Sequence, residues 1–525
     1  MHRSVLIILA VAFTAFASAQ QPGDLDLTFS GDGIATVHFP PAGSDRGTCM
    51  AVQPDGRIVL GGSTQQQTGS GGTAMALVRL MPDGSLDNSF GTGGLVTTTI
   101  GSGSTIDDKI LGIAVQSDGR IIAVGQTFVN GGGYQAAILR YNTDGTLDNT
   151  FSGDGFRVDD IGTGSDDGFF DVAVQPNGSI AVVGTALSTV GYDAAVARYL
   201  TDGTPDNSFS GDGFEILDIG GVENRGSGLA LQGDGRIVIS GESGDTFGNS
   251  EFMVARFTGG GALDASFGTG GVVVSVLTTG ADWAYDVAMQ PDGKIVASGI
   301  VATAAFLGDV GFARYNSDGS LDASFSGDGW TSVVNGAYSI ARSVVVLPDG
   351  RIAGGGIAGN ALGVVMLLPN GSPDTNFSGD GLVDSPQGNS TYGNAVALQP
   401  DGKLLLVGSS NFGATLDDIV VLRYRTGLVI GVNELSITLG EPLVFPNPIS
   451  SRADLAYTLR TDERITITLF DMEGRAVQVF LDGLAQRAGE HRVTLELEKG
   501  IAPGSYQIRI TTASGASSSL KVVKE

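Results

Sequence analysis

The sequence predicts an all-β protein: a seven-bladed β-propeller closed by its own N-terminal strand, followed by a small C-terminal β-sandwich. The first observation behind this prediction is a short motif, Leu-Asp-x-Ser-Phe or a close variant, that occurs seven times in 525 residues. Its phenylalanines are Phe29, Phe90, Phe151, Phe209, Phe267, Phe325 and Phe377. The second is a change of composition near residue 433, where a Gly- and Asp-rich region gives way to alternating strands.

One repeat, residues 48–100, shows why the units are blades. It contains four short apolar, β-branched runs that are separated by Gly, Pro and Asp. Such runs predict β-strands, and the unit shows no helical periodicity. Successive motif phenylalanines lie 52 to 61 residues apart. Four strands in each unit of this length, repeated radially, indicate a propeller rather than a helical solenoid.

The two ends of the repeat region indicate how the ring closes. The seventh unit ends after the run at 419–424 without a Leu-Asp-x-Ser-Phe motif, whereas residues 25–39 contain that motif and the strand after it. We therefore predict that the N-terminal strand is the outer strand of the seventh blade. Closure of this kind removes the sheet edges that an open array would expose.

The N-terminus predicts export. Residues 1–19 hold Arg3, an apolar stretch from 5 to 16 and three small residues before Gln20, which is the pattern of a signal peptide. No later segment approaches the roughly 18 apolar residues that span a bilayer, so we do not expect the mature chain to span a membrane. Cys49 is the single cysteine, which excludes an internal disulfide. We expect it to be a small buried residue on an inner strand.

The negative charge is concentrated in the repeat region. Residues 20–433 carry 18 basic and 44 acidic side chains, a net charge of −26. This charge disfavours nucleic acids and anionic lipids as partners, because their phosphates would be repelled. It is compatible with cations, basic proteins and neutral glycans.

The C-terminal segment, residues 434–525, carries several motifs of one family. They are Pro-Asn-Pro at 446–448, Leu-Phe-Asp-x-x-Gly-Arg at 469–475, Gly-x-Tyr at 504–506 and Lys-Val-Val-Lys at 521–524. The segment resembles the C-terminal sorting domain of the type IX secretion system, and its alternating strands predict a small β-sandwich. The resemblance implies that residues 434–525 address the type IX machinery. The protein would then pass through the periplasm and be released or attached at the outer-membrane surface.

The propeller segment, residues 20–433, resembles the delta-60 repeat β-propeller family. The resemblance rests on Gln-Pro-Asp-Gly-Arg-Ile-Val at 53–59, Gln-Pro-Asp-Gly-Lys-Ile-Val at 290–296 and Ala-Arg-Tyr-Asn-x-Asp-Gly-Ser-Leu-Asp-x-Ser-Phe at 313–325. It implies the fold and no general activity. The sixth unit departs from the pattern, since Met366 stands where the other units have arginine.

Comparison of the units with one another predicts a working face. The turns between first and second strands, and between third and fourth strands, are nearly the same in every unit, whereas the remaining loops differ. Variable loops of repeat proteins usually form the binding face. Aromatic rings beside acidic acceptors suit a sugar, and the candidate ligand-binding residues are Asp166, Asp167, Phe169, Phe170, Trp283 and Tyr285. The alternative is that these are solvated loop acids and aromatic residues that seal blade junctions.

The repeated face has acids of its own. Each Leu-Asp-x-Ser-Phe motif contributes an aspartate, and five Ser-Gly-Asp-Gly turns add another. Calcium binding there is one possibility, but the spacing of a calcium loop is missing, and hydrogen bonds within turns explain Asp beside Gly. The arginines in the third strands need anionic partners, for which the motif aspartates are the natural candidates.

Catalytic machinery is sparse. Of three histidines, only His38 lies in the propeller, and we expect it to be a packed structural residue. One cysteine and one histidine exclude the usual zinc sites and disfavour a Ser-His-Asp triad. We therefore assign no catalytic residue and no cofactor. The prediction is a secreted or surface-attached, monomeric binding propeller for a glycan or a protein. The alternatives are a carboxylate-based enzyme acting on polysaccharide and a calcium-bound structural surface protein.

Overall fold

The structure, a computed structural model, describes most of the propeller and the tail. The described residues are 20–41, 43–65, 72–101, 107–164, 166–244, 250–304, 307–333, 338–359, 361–388, 391–411, 416–428, 443–445, 447–459, 463–471, 476–498, 500–512 and 517–524. The predicted signal peptide, residues 1–19, lies outside them. Two compact units divide the chain between Leu428 and Val429, a few residues before the predicted boundary. Among the described residues no helix is long and apolar enough to cross a bilayer.

The first unit contains the strands of the propeller. In chain order they are β1 (Ile34–Val37), β2 (Asp45–Val52), β3 (Ile58–Gln65), β4 (Thr73–Leu80), β5 (Leu95–Thr98), β6 (Lys109–Val115), β7 (Ile121–Val129), β8 (Gly133–Tyr141), β9 (Phe156–Asp159), β10 (Gly168–Val174), β11 (Ile180–Leu187), β12 (Tyr192–Tyr199), β13 (Phe214–Leu217), β14 (Glu223–Leu231), β15 (Ile237–Gly244), β16 (Ser250–Phe257), β17 (Val272–Ser275), β18 (Trp283–Met289), β19 (Ile295–Ala304), β20 (Leu307–Tyr315), β21 (Trp330–Val333), β22 (Ser339–Val346), β23 (Ile352–Ala358), β24 (Ala361–Leu367), β25 (Leu382–Ser385), β26 (Thr391–Leu398), β27 (Lys403–Asn411) and β28 (Asp417–Arg425).

These strands form seven antiparallel blades. Blade one is β2-β3-β4-β5, and the same order repeats through blade six, β22-β23-β24-β25. Blades three and four are joined by one parallel bridge, between Tyr192 and Glu223. The second and third strands of each blade are apolar on consecutive positions because neighbouring blades cover both of their faces; β23, for example, is buried along its whole length. This is the all-β propeller that the repeats predict.

Blade seven takes its outer strand from the N-terminus. Strand β1 pairs antiparallel with β28, from Ile34 opposite Leu422 to Val37 opposite Ile419. The sheet order is β1-β28-β27-β26. Side chains of blade one, including Ile58, pack in one core cluster with side chains of blade seven, including Leu405. The first and last blades are therefore in contact.

The repeated Leu-Asp-x-Ser-Phe motif builds an arginine clamp in each of six blades. In blade one, Arg79 Nε lies 2.8 Å from Asp87 Oδ2, and Arg79 Nη1 donates to the backbone oxygen of Thr143 in the next blade. The guanidinium lies 4.5 Å from the centre of the Phe90 ring. The other five clamp pairs are Arg140–Asp148, Arg198–Asp206, Arg256–Asp264, Arg314–Asp322 and Arg423–Asp26. The predicted pairing of third-strand arginines with motif aspartates is confirmed.

Blade six shows a substitute clamp. Met366 occupies the third-strand position, and Arg351, from the turn between the first two strands, reaches Asp374 Oδ2 at 3.1 Å. Arg351 Nη1 also donates to the backbone oxygen of Thr426 at 2.8 Å, a contact that third-strand arginines make in the other blades. The Arg351 side chain is only 12% exposed, against 40% for its counterpart Arg236. The same clamp therefore forms from a different position in the chain.

The second unit is a two-sheet sandwich. Its strands are β29 (Leu443–Phe445), β30 (Arg452–Leu459), β31 (Glu463–Phe470), β32 (Ala476–Gln486), β33 (Gly489–Glu496), β34 (Gly504–Thr512) and β35 (Ser517–Lys524). One sheet has the order β29-β30-β33 and the other β32-β31-β34-β35. Leu455 of the first sheet and Ile467 and Ile508 of the second share one buried core. This is the predicted C-terminal β-sandwich.

Candidate functional site

Every inner strand of the propeller contains an irregularity at the same place. The pairing of the first with the second strand skips one residue in each blade, for example Thr48 in blade one and Phe170 in blade three. A β-bulge of this kind re-aims the extra side chain. The seven bulged residues are Thr48, Leu111, Phe170, Ser227, Tyr285, Arg342 and Asn394. We call them the axial ring.

All seven residues of the axial ring line one cavity of about 520 Å³. Each occurs within the first five residues of its strand, so the cavity lies toward the end of the blades from which the variable loops emerge. Its volume is within the roughly 300–1,000 Å³ typical of small-molecule sites. The seven positions are equivalent in the fold and yet hold hydroxyl, aliphatic, aromatic, cationic and amide side chains. The axial ring is therefore where repeat symmetry is lost.

Aromatic side chains contribute to the cavity wall. Phe170, Trp283 and Tyr285 all line it, and the Trp283 and Tyr285 rings meet edge to face with centroids 6.4 Å apart. Burial raises the pKa of Tyr285 to about 12, so its hydroxyl is a neutral donor at ordinary pH. Trp283 Nε1 is buried and makes no hydrogen bond to the described residues. A ligand in the cavity would supply its acceptor.

Two arginines in the cavity have different surroundings. Arg225 Nε lies 2.9 Å from Glu223 Oε2 and 3.5 Å from Glu242 Oε1. Arg342 forms no ion pair among the described residues; its Nη1 lies 3.4 Å from Asn394 Oδ1. Arg342 Nε is buried without a hydrogen-bond partner there. Arg225 is thus neutralised within the cavity, whereas Arg342 keeps a donor for a ligand.

Two half-buried aspartates that line the cavity have structural partners. Asp171 accepts hydrogen bonds from the backbone N–H groups of Val172 and of Leu229 in the next blade. Asp286 does the same with Val287 and with Val344. Burial raises the pKa of both carboxyls. Sequence reasoning missed this pair, although the order aromatic-Asp-Val at 170–172 and 285–287 was a signal.

The structure divides the six predicted ligand-binding residues. Phe170, Trp283 and Tyr285 line the cavity together. The other three predicted residues, Asp166, Asp167 and Phe169, do not line the cavity. Asp166 accepts a hydrogen bond from the Tyr192 hydroxyl at 2.6 Å. Asp167 is buried and accepts the backbone N–H groups of 161, 162 and 187. Phe169 is fully buried in the core between blades, so the prediction that it contacts a ligand is wrong.

Other sequence expectations can be placed as well. Cys49 is buried, as predicted, and burial raises the pKa of its thiol to about 12. The prediction of a packed His38 is wrong, because half of its side chain is exposed to solvent. His38 follows the last residue of the outer strand β1, where no neighbouring blade has to pack against it. In the Ser-Gly-Asp-Gly turns, aspartates such as Asp32 and Asp212 accept the backbone N–H two residues later. Turn formation accounts for these acids without an ion.

Comparison with family models identifies both parts of the chain. The model described as "Domain of unknown function (DUF5122) beta-propeller" matches seven segments: 53–90, 116–151, 175–209, 232–267, 290–325, 347–377 and 399–427. The first unit therefore contains seven repeats of this β-propeller family. A model described as "Secretion system C-terminal sorting domain" matches 443–525. The propeller therefore carries a tail that directs export to the cell surface or the extracellular space.

Solved structures add distant similarities. A protein of unknown function from Dyadobacter fermentans aligns with 75% of this chain and 98% of its own at 12% identity, with a TM-score of 0.39. The polysaccharide lyase Uly1 aligns with 72% of this chain and 90% of its own at 12% identity, with a TM-score of 0.41. No curated protein matches the sequence. Similarities this distant carry nothing about the ligand.

Proposed function

We propose that the propeller is a non-enzymatic binding module, exported to the cell surface or beyond, whose axial cavity holds a glycan. The observation that carries this proposal is the cavity itself, which is lined by Trp283 and Tyr285 and by two buried donors without a partner among the described residues, Trp283 Nε1 and Arg342 Nε. Sugars present apolar faces that stack on aromatic rings and oxygens that accept hydrogen bonds.

The acids of the cavity favour binding over catalysis. Glycoside cleavage by carboxylates needs one acid to donate and one to attack or activate water. Asp171 and Asp286 each already accept two backbone N–H groups, and Glu223 and Glu242 both lie against Arg225. Among the described residues of the cavity, each of these acids thus has a structural partner.

The test is a glycan-array screen of the purified protein, with each hit measured by calorimetry. Truncating Trp283 to Ala should weaken binding by about 1–4 kcal/mol if this ring is a central contact, because both a stacking face and a donor are lost. The matched control is Trp330→Ala on the outer strand β21, which should leave affinity unchanged while it lowers stability.

Three results would overturn the proposal. If chromatography shows that the protein shortens a bound glycan, the protein is an enzyme. Equal affinity in the Trp283→Ala variant and the parent protein would place the ligand elsewhere. If the protein binds another protein and no glycan, the ligand is a protein, which is the other class that the sequence analysis allows.

A further inference from the structure

Three ligand-type side chains meet where the N-terminal segment joins blade seven. They are His38, which follows β1, Asp45, which begins β2, and Asp418, near the start of β28. One potential ligand atom from each lies within 4.8 Å of the others, and His38 Nδ1 is 4.0 Å from Asp418 Oδ1. The three residues come from three separate segments, and the pairing of β1 with β28 brings them together.

Asp45 has an unused oxygen. The side chain is fully buried, and Oδ2 accepts the backbone N–H of Phe39 at 2.7 Å. Oδ1 is buried, and no donor among the described residues meets hydrogen-bond distance and angle to it, although the Thr64 hydroxyl lies close enough to favour the ionised carboxylate. A buried carboxylate oxygen without a partner is costly, so a further partner is expected at this position.

The repeats supply an internal control for Asp45. Three other blades have an aspartate at the same place, three residues before the bulged residue: Asp108, Asp167 and Asp282. Both oxygens are satisfied in all three: Oδ1 accepts from Thr127, Leu187 and Thr278 respectively, and Oδ2 accepts backbone N–H groups. Among these four positions, only Asp45 keeps an open oxygen, and that is the position beside His38 and Asp418.

We propose that His38, Asp45 and Asp418 bind a divalent first-row transition ion of the Zn²⁺ type. One imidazole nitrogen and two carboxylates suit such an ion, and three protein ligands leave a position for water. Calcium is a poor match, because it requires about six to eight oxygen ligands. His38 and Asp418 are 50% and 27% exposed, so an ion can enter from solvent. Asp417 is not part of the site, because it lies 3.1 Å from Arg46 Nε.

The ion would link the N-terminal segment to blade seven. A ligand that binds only the folded state raises apparent stability by mass action, and here its ligands come from both sides of the β1–β28 pairing. The site is separate from the axial ring and does not depend on the proposed glycan function. A glycan screen can therefore fail without any effect on this inference.

The experiment titrates Zn²⁺ into tag-free, full-length protein that has first been treated with chelator. Calorimetry should show one site, and the thermal midpoint of the propeller should rise with Zn²⁺. His38→Ala and Asp418→Asn should each weaken binding at least about tenfold. Two matched controls, His491→Ala in the tail and Asp417→Asn beside the site, should leave Zn²⁺ affinity unchanged.

Two outcomes would overturn the proposal. One is the absence of Zn²⁺ binding at millimolar concentration in a protein whose circular dichroism shows it to be folded. The other is binding that His38→Ala and Asp418→Asn do not alter. A titration with Ca²⁺ that gives tighter binding than Zn²⁺ would also contradict the assigned ligand chemistry. Both test variants change exposed or half-buried side chains, so we expect them to fold.

Discussion

The clamp and the axial ring are both built from seven equivalent positions, and they differ in how alike those positions are. The clamp is formed in every blade, even in blade six, where Arg351 substitutes for the missing third-strand arginine. The axial ring holds seven different residue types in seven places. Positions that hold adjacent blades together thus keep one chemistry, and positions free of that task have diverged. The uniform clamp residues are those that the fold requires, whereas the varied axial-ring residues are those that could determine which ligand binds.

The largest expected effect separates the two regions by pH. In the clamp, the Ser266 hydroxyl and backbone N–H, together with Arg256, lower the pKa of Asp264 to about 2, while burial raises the pKa of axial Asp171 and Asp286. An unfolded aspartate titrates near pH 3.9. The clamp contribution is therefore complete above about pH 4 and is lost as pH falls through about 2. The contribution of Asp171 and Asp286 to stability has the opposite pH dependence. It is present below about pH 4 and is lost as pH rises through the folded pKa values of these two carboxyls.

Denaturant unfolding at a series of pH values measures this difference. We expect the midpoint to fall steeply between about pH 4 and 2. The fall should be smaller in Asp264→Asn, whereas Asp171→Asn should flatten the response between about pH 4 and neutrality. A midpoint that stays constant from neutrality down to pH 2 would mean that the clamp acids are not coupled to folding.

The second prediction concerns the clamp of blade seven, whose acid comes from the other end of the chain. Deleting residues 20–40 removes β1, the buried Phe29 and Asp26, and it leaves Arg423 buried without a counterion. Breaking a buried pair costs about 3–5 kcal/mol, and loss of the outer strand adds to this. We expect a lower unfolding midpoint or loss of cooperativity. Asp26→Asn should show the ion-pair part alone, with the exposed neighbour Asp24→Asn as control. An unchanged midpoint in the deletion would contradict the role of β1.

The third and smallest effect tests the substitute clamp. Arg351→Met leaves Asp374, which is 2% exposed, without its cation, and should cost about 3–5 kcal/mol in the free energy of unfolding. The counterpart Arg236→Met should cost less than about 1 kcal/mol, because Arg256 still pairs with Asp264. The double variant Arg351→Met with Met366→Arg should recover stability. Equal losses from Arg351→Met and Arg236→Met would show that the substitution has no energetic role.

The sequence predicts well what every blade shares. The motif phenylalanines are all fully buried, and the Arg–Asp pairs form as their spacing implies. It predicts the axial site less well, because the bulge that turns Phe170 toward the cavity and leaves Phe169 in the core is a backbone irregularity. Two adjacent phenylalanines carry no sign of which one is displaced. The role of Arg351 could not be predicted either, because it depends on the absence of an arginine at Met366, fifteen residues later in the chain.

The pairing of the first propeller strand with the last determines when, during synthesis, the propeller can finish folding. Thr28 and its partner Arg423 are 395 residues apart, so the first strand of the propeller obtains its neighbour only when the last strand has been synthesised. Contacts this distant in sequence form slowly, and until then the edge of β28 stays open to other strands. The sorting domain follows residue 428. By the time the export address exists, every residue needed to complete the ring has already been synthesised.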